Sequence, residues 1–400
     1  MILGISLDEN FVYISSDDSS EVLSFPFAIG RNLTTNTWFV GEEARNENVD
    51  SLDIVIDKLF YIMGNDGTAR IGEVSYSANE LTRIFFQNLL LKFENIEYVT
   101  VVIRQSNVKY MEKIKYALNS IFKDESKFKV STYSEAFVSY IKSKESSYYS
   151  NLVSLFDFTE KALTYYELVR YEDDNGIEYW RVTTEEHLAL PLDLLAGDAG
   201  RKVCDNILYD FSRKCIKEEV YNNIILSGLG FEDASSYREF LTYVCSIANV
   251  ETNINFFAYA AYLLSNDILN DNFDKKVILI TDARTTAYIR LNAMVNQVKT
   301  NIELIKPGEE WFDLKNPEFD ILVNGEREIK FEILKIIERV LKEESIAIPD
   351  NIILRNDITN FFEIKLEFTQ QNILQINLFD KGFGEFYEST KEIKNREIEI

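Results

Sequence analysis

Residues 2–14 (ILGISLDENFVYI) and residues 152–170 (LVSLFDFTEKALTYYELVR) carry the same signature: an apolar run, a short polar turn and a second apolar run. Runs rich in β-branched and aromatic residues with a polar break between them predict two strands joined as a hairpin. The succession of elements after each hairpin also recurs. After the first, residues 22–30 and 37–41 continue the strand-rich opening, and from Asn79 the apolar period changes. Leu81, Ile84, Phe85 and Leu89 share one helical face, with Asn79 as the expected cap. Residues 98–103 (YVTVVI) predict a buried strand, and Asn107 caps a helix whose apolar face is Val108, Met111, Ile114, Leu118 and Ile121. A further strand-to-helix step occupies 128–142. After the polar stretch 143–151 and the second hairpin come a strand at 177–188, a helix over roughly 192–213, the strand Ile224–Ser227, the loop Gly228-Leu229-Gly230 and an apolar helix at 253–265. Strands and helices alternating at these intervals imply an α/β fold, and two halves opening alike imply a duplication.

The last third of the chain differs. Residues 276–281 and 284–290 are strand-like, and Phe362, Ile364, Leu366 and Phe368 alternate with polar residues before a turn at Gln370-Gln371-Asn372. Leu374, Ile376 and Leu378 resume the alternation, which predicts a hairpin with one wet face. Ile329, Ile333, Ile336, Ile337 and Val340 stand at helical spacing and predict a helical insertion in this β-rich region. The expected domains are therefore 1–150, 151–275 and 276–400.

Composition narrows the function classes. A formal charge of −24 opposes binding to nucleic acid or anionic membrane, both of which need Lys and Arg to replace counterions. The three cysteines, Cys204, Cys215 and Cys245, form no C-x-x-C pair, and His187 is the only histidine. Zinc sites and multi-histidine centres are thereby disfavoured, as is a Ser-His-Asp mechanism. The N-terminal apolar stretch breaks at Ser6 and Asp8, and no run approaches the length of a membrane helix, so the expectation is a soluble, cytoplasmic protein. Only 15 residues are glycine, which counts against a phosphate-binding fold.

Several short segments in order carry a resemblance. Phe25-Pro26 and Phe39-Val40-Gly41-Glu42-Glu43-Ala44 match an early strand and a "VGxxA" step, and Glu135-Ala136 precedes an apolar helix where an E-P-T-A-A segment is usual. Ile224 to Gly230 (IILSGLG) matches an adenosine-loop strand and turn, and residues 363–384 match a strand-turn-strand ending in "dkgtG". Together these resemble DnaK-type heat-shock chaperones, in the superfamily of sugar kinases, heat-shock proteins and actins. The resemblance implies an actin-like duplicated ATPase fold, two lobes flanking a cleft, followed by a β-rich domain like a chaperone's substrate-binding domain. The family's helical lid has no counterpart in the charged stretch after Thr390.

The same resemblance exposes what is missing. The family's first phosphate motif, roughly G-I-D-L-G-T-T, is here Gly4, Ile5, Ser6, Leu7, Asp8, Glu9 and Asn10. The second, roughly D-x-G-G-G-T, is Asp157, Phe158, Thr159, Glu160, Lys161 and Ala162. Backbone can surround a phosphate only where side chains stay away, so glycine matters there. Asp8, Glu9 and Glu160 instead present like charge to a polyanion. Asp157 is a weak metal candidate, Lys58 is a loose match to the family's catalytic lysine, and Gly228, Leu229 and Gly230 keep adenosine binding open. The expectation is a pseudo-ATPase that binds or scaffolds a protein or peptide partner, with no cofactor and with Mg-bound ATP or ADP disfavoured. An active ATPase with divergent loops and an actin-like filament or cell-division scaffold are the alternatives.

Overall fold

The computed structural model describes residues 1–45, 54–188, 190, 192, 197–272, 276–295, 297–314, 318–357, 359–391 and 393–400. The chain forms two compact units, Met1–Val277 and Ile278–Ile400. The division expected near residue 150 falls inside the first unit, between its two main sheets.

In the first sheet, Ile2–Leu7 pairs antiparallel with Phe11–Ser16 and parallel with Tyr98–Ile103. Phe128–Thr132 lies parallel beyond Tyr98–Ile103, and Ser19–Pro26 lies antiparallel beyond Phe11–Ser16. Every residue of Tyr98–Ile103 is buried, as a parallel strand covered on both faces requires. The second sheet repeats this plan. Leu152–Phe158 pairs antiparallel with Ala162–Glu172 and parallel with Tyr221–Ser227. Asn249–Thr252 lies parallel beyond Tyr221–Ser227, and Glu178–Leu188 antiparallel beyond Ala162–Glu172. Strand order and direction therefore agree between the two sheets across five strands each.

The helices start where local chemistry satisfies their free amides. Ala78–Leu90 begins at Ser77 rather than Asn79, because Ser77 and Glu80 form a reciprocal capping box. Asn107 caps Val108–Phe122 by accepting from the Lys109 amide. The helix expected over 192–213 runs Asp198–Cys215, and residues 193–196 lie outside the described residues. Arg238–Ile247, not singled out by periodicity, leads into Asn249–Thr252.

The helix Phe256–Leu269 follows the second-sheet strand Asn249–Thr252 but packs on the first sheet. A Cβ on Gly4 would lie 1.9 Å from the Tyr262 amide nitrogen and 2.6 Å from the Ala258 carbonyl oxygen. Only glycine lets the helix backbone approach the strand this closely. Ser265 Oγ donates to the Leu3 carbonyl at 2.9 Å, and the Tyr133 and Phe257 rings stack with centroids 3.9 Å apart.

The second unit contains two four-stranded antiparallel sheets. One orders Val298–Ile305, Ala287–Val295, Glu328–Lys335 and Val340–Ala347; the other orders Glu318–Val323, Asn360–Gln370, Ile373–Asp380 and Ile393–Glu399. The helical insertion is corrected here. Its apolar residues belong to a β-hairpin, Glu328–Lys335 with Val340–Ala347, in which Ile329, Phe331 and Ile333 point inward with period two. The charged stretch after Thr390 contains the strand Ile393–Glu399, in which Ile398 is buried. The hairpin expected over 361–379 forms as Asn360–Gln370 and Ile373–Asp380.

Candidate functional site

Asp8, Glu9 and Asn10 connect the first two strands of the first sheet, and Thr159, Glu160 and Lys161 connect the corresponding strands of the second. The two turns face each other across a cavity of about 570 Å³, within the usual range for small-molecule sites. In the first turn the Asp8 amide donates to the Phe11 carbonyl at 2.9 Å, and the Glu9 amide donates to the carboxylate of Asp8 at 2.8 Å. In the second, Ala162 N donates to Thr159 Oγ1, while the carbonyls of Glu160 and Lys161 accept from Leu192 and Leu190.

Side chains then join the two turns. Asn10 Nδ2 donates to Glu160 Oε2, and the Lys161 ammonium pairs with the Glu9 carboxylate. At the base, Arg104 leaves the end of Tyr98–Ile103 and places Nη1 2.8 Å from Asp157 Oδ2 and 3.0 Å from Thr164 Oγ1. Asp157 is only 4% exposed and faces this guanidinium. Among the described residues no three His, Cys, Asp or Glu side chains come together as a metal site. Beside Ser6, Asp157, Gly228 and Asn255 a smaller cavity of about 30 Å³ has room for a water or two.

The electrostatics are those of an acidic cleft. Burial raises the Asp8 pKa, against the lowering effect of Arg104 and the Glu9 amide, and Asp157 and Glu9 add to the rise. Burial, then Asp8, Glu160 and Asp157, push the Tyr13 phenol up. Lys161 is raised by its hydrogen bond to Glu9, with Glu160 and Asp8 contributing. Asp8, Glu9, Glu160 and Glu186 line the large cavity against the cations Arg104 and Lys161.

The remaining sequence candidates divide. Gly4 lines neither cavity and serves helix packing, whereas Ser6 reaches only the small one. Gly228, at φ +89°, would put a Cβ 2.4 Å from the Phe158 carbonyl oxygen, and a Cβ on Gly230 would meet the Phe158 ring at 2.2 Å. Both glycines are required by packing on Phe158, and of this loop only Leu229 lines the large cavity. Lys58 is exposed and absent from the lining, where Phe60 appears instead. Sequence reasoning misses Arg104, Tyr13, Phe60, Tyr110 and Glu186. Two of them stand beside recognisable signals: Arg104 directly after the buried strand, and Tyr110 in the first turn of the helix that Asn107 caps.

A phosphate-binding loop offers free backbone amides and keeps carboxylates away from the ligand. The Glu9 amide, a donor such a loop would offer to phosphate, is spent on Asp8, and both turns carry carboxylates into the space. Residues 10–282 match the model of a family of unknown function, DUF5716 C-terminal, and residues 284–400 match DUF8552, a domain of unknown function. Among curated proteins none matches the chain.

Proposed function

For a chain that belongs to the DUF5716 C-terminal family, we propose a heat-shock-chaperone-like role: binding or scaffolding other proteins on an actin-type duplicated framework, without hydrolysis of ATP. The agreement in strand order between the two sheets supports the framework, since a paired hairpin-led sheet flanking a cleft is what the resemblance implies. One observation carries the loss of catalysis. The turns expected to grip phosphate grip each other, through Asn10 with Glu160 and Glu9 with Lys161. Phosphoryl transfer depends on positioned donors and cations around the phosphate, and here those groups are occupied by carboxylates. The antiparallel sheets of the second unit supply surface for a partner protein.

Thermal unfolding with millimolar Mg-ATP, Mg-ADP or adenosine tests this reading. Ligand at 100 times its Kd adds about 2.7 kcal/mol to stability and raises Tm by several degrees. The expected result is no shift with either Mg-nucleotide and no phosphate release. A clear shift with Mg-ATP accompanied by turnover overturns the proposal.

A further inference from the structure

We propose that the cleft between the two hairpin turns binds an organic cation, a protonated amine or guanidinium, held by carboxylates and aromatic rings. The inference rests on the reading of this cleft as closed to triphosphate. Charge balance is the first support. Arg104 is met by Asp157, which lies outside the large cavity, and Lys161 is met by Glu9. Asp8, Glu160 and Glu186 are then in excess over the cations of the lining. Lys161 serves as a resident example of the ligand chemistry, an ammonium resting on a carboxylate of the first turn.

The second support is the character of the walls. Phe11, Tyr13, Phe60 and Tyr110 all line the cavity. Phe60 and Tyr110 stack with centroids 4.4 Å apart and planes 22° from parallel. Gly64 fixes the pair, because a Cβ there would meet the Tyr110 hydroxyl at 2.2 Å. Aromatic faces attract cations through their quadrupole, most strongly where water is excluded. A bare metal ion would gain little from four aromatic rings, while an alkylammonium or guanidinium has an apolar stem to lay against them. The volume of about 570 Å³ also suits a molecule of several carbon atoms. The same chemistry arrives as a free polyamine or as a Lys or Arg side chain of a partner.

Calorimetric titration of the full chain at physiological salt separates these sources, using spermidine, N-acetyl-arginine amide, a short lysine peptide and Mg-ATP. The expected result is saturable one-to-one binding of at least one cation. Spermidine binding alone identifies a free small ligand, and tighter peptide binding identifies a partner's side chain; either supports the site. Glu160→Gln weakens the interaction about tenfold, as loss of a charged hydrogen-bond partner should, and Tyr110→Ala weakens it about threefold or more. Lys161→Met strengthens it, since the resident competitor is gone, and a gain cannot come from misfolding. Glu328→Gln, an exposed carboxylate of the second unit, changes nothing; this control separates the site from diffuse attraction to a chain of charge −24. Saturation by no cation, or affinities unaltered in both Glu160→Gln and Lys161→Met, overturns the inference and leaves the proposed function standing. Tight Mg-ATP binding instead overturns the reading beneath both.

Discussion

Arg104 Nη1 lies 2.8 Å from Asp157 Oδ2, joining the end of a first-sheet strand to the strand that begins the second sheet. Asp157 is 4% exposed, so removal of its partner leaves a buried carboxylate uncompensated. Arg104→Ala is expected to cost about 3–5 kcal/mol in chemical denaturation. Arg104→Leu with Asp157→Leu should recover most of that loss, because an apolar pair carries no desolvation penalty. By contrast Lys161→Ala, which breaks a half-exposed pair with Glu9, should cost under about 1 kcal/mol.

Asp8 gives a dependence on pH. Burial raises its folded-state pKa above the unfolded value of about 3.9, so between those two values the folded protein holds a proton that the unfolded chain has released, and above both Asp8 is a carboxylate in either state. Stability from this group is fully present below the unfolded value and is lost as pH rises through the folded one. Arg104, Asp157, Glu9, Tyr13, Tyr133 and Lys161 are the charged or titratable groups around it. Asp8→Asn keeps an acceptor for the Glu9 amide and abolishes the titration. Its Tm should exceed that of the parent at neutral pH, with the difference shrinking toward pH 4. A constant difference across that window would remove Asp8 as the cause.

Gly4→Ala should destabilise by about 1–3 kcal/mol or more, since the new Cβ meets the backbone of Phe256–Leu269 rather than a movable side chain. Were Gly4 a ligand-contacting glycine instead, the variant would unfold normally and lose only binding.

The cysteines should sort by burial. Burial pushes the Cys204 thiol up to about 11 and the Cys215 thiol up to about 12, while Cys245 is exposed. Native alkylation followed by mass spectrometry is expected to modify Cys245 alone, and denaturation to release all three.

Much of the first unit is legible in the sequence because its signals are local. Strand Tyr98–Ile103 is a β-branched, buried run, Asn107 caps its helix, and the repeated hairpins mark two sheets of like strand order. The hairpin Glu328–Lys335 with Val340–Ala347 mimics a helix for a physical reason. Ile329 and Ile333 are four apart and fit a helix face as well as a strand, and only Phe331 between them decides for period two. The acidic turns are visible in the sequence, but their engagement is not. Glu9 with Lys161 and Asn10 with Glu160 are contacts across about 150 residues, and Arg104 with Asp157 likewise exists only once both sheets are assembled.

The seating of Phe256–Leu269 on Gly4 and Leu3 bears on how the chain is made. Ser265 bonds to a carbonyl 262 positions earlier, so on the ribosome the opening strand waits for almost the whole first unit to emerge before its face is covered. Contacts of such long sequence separation slow folding and leave apolar surface open meanwhile. A nascent chain halted shortly before residue 256 should therefore hold its first sheet uncovered and protease-sensitive, and release of the next helix should close it.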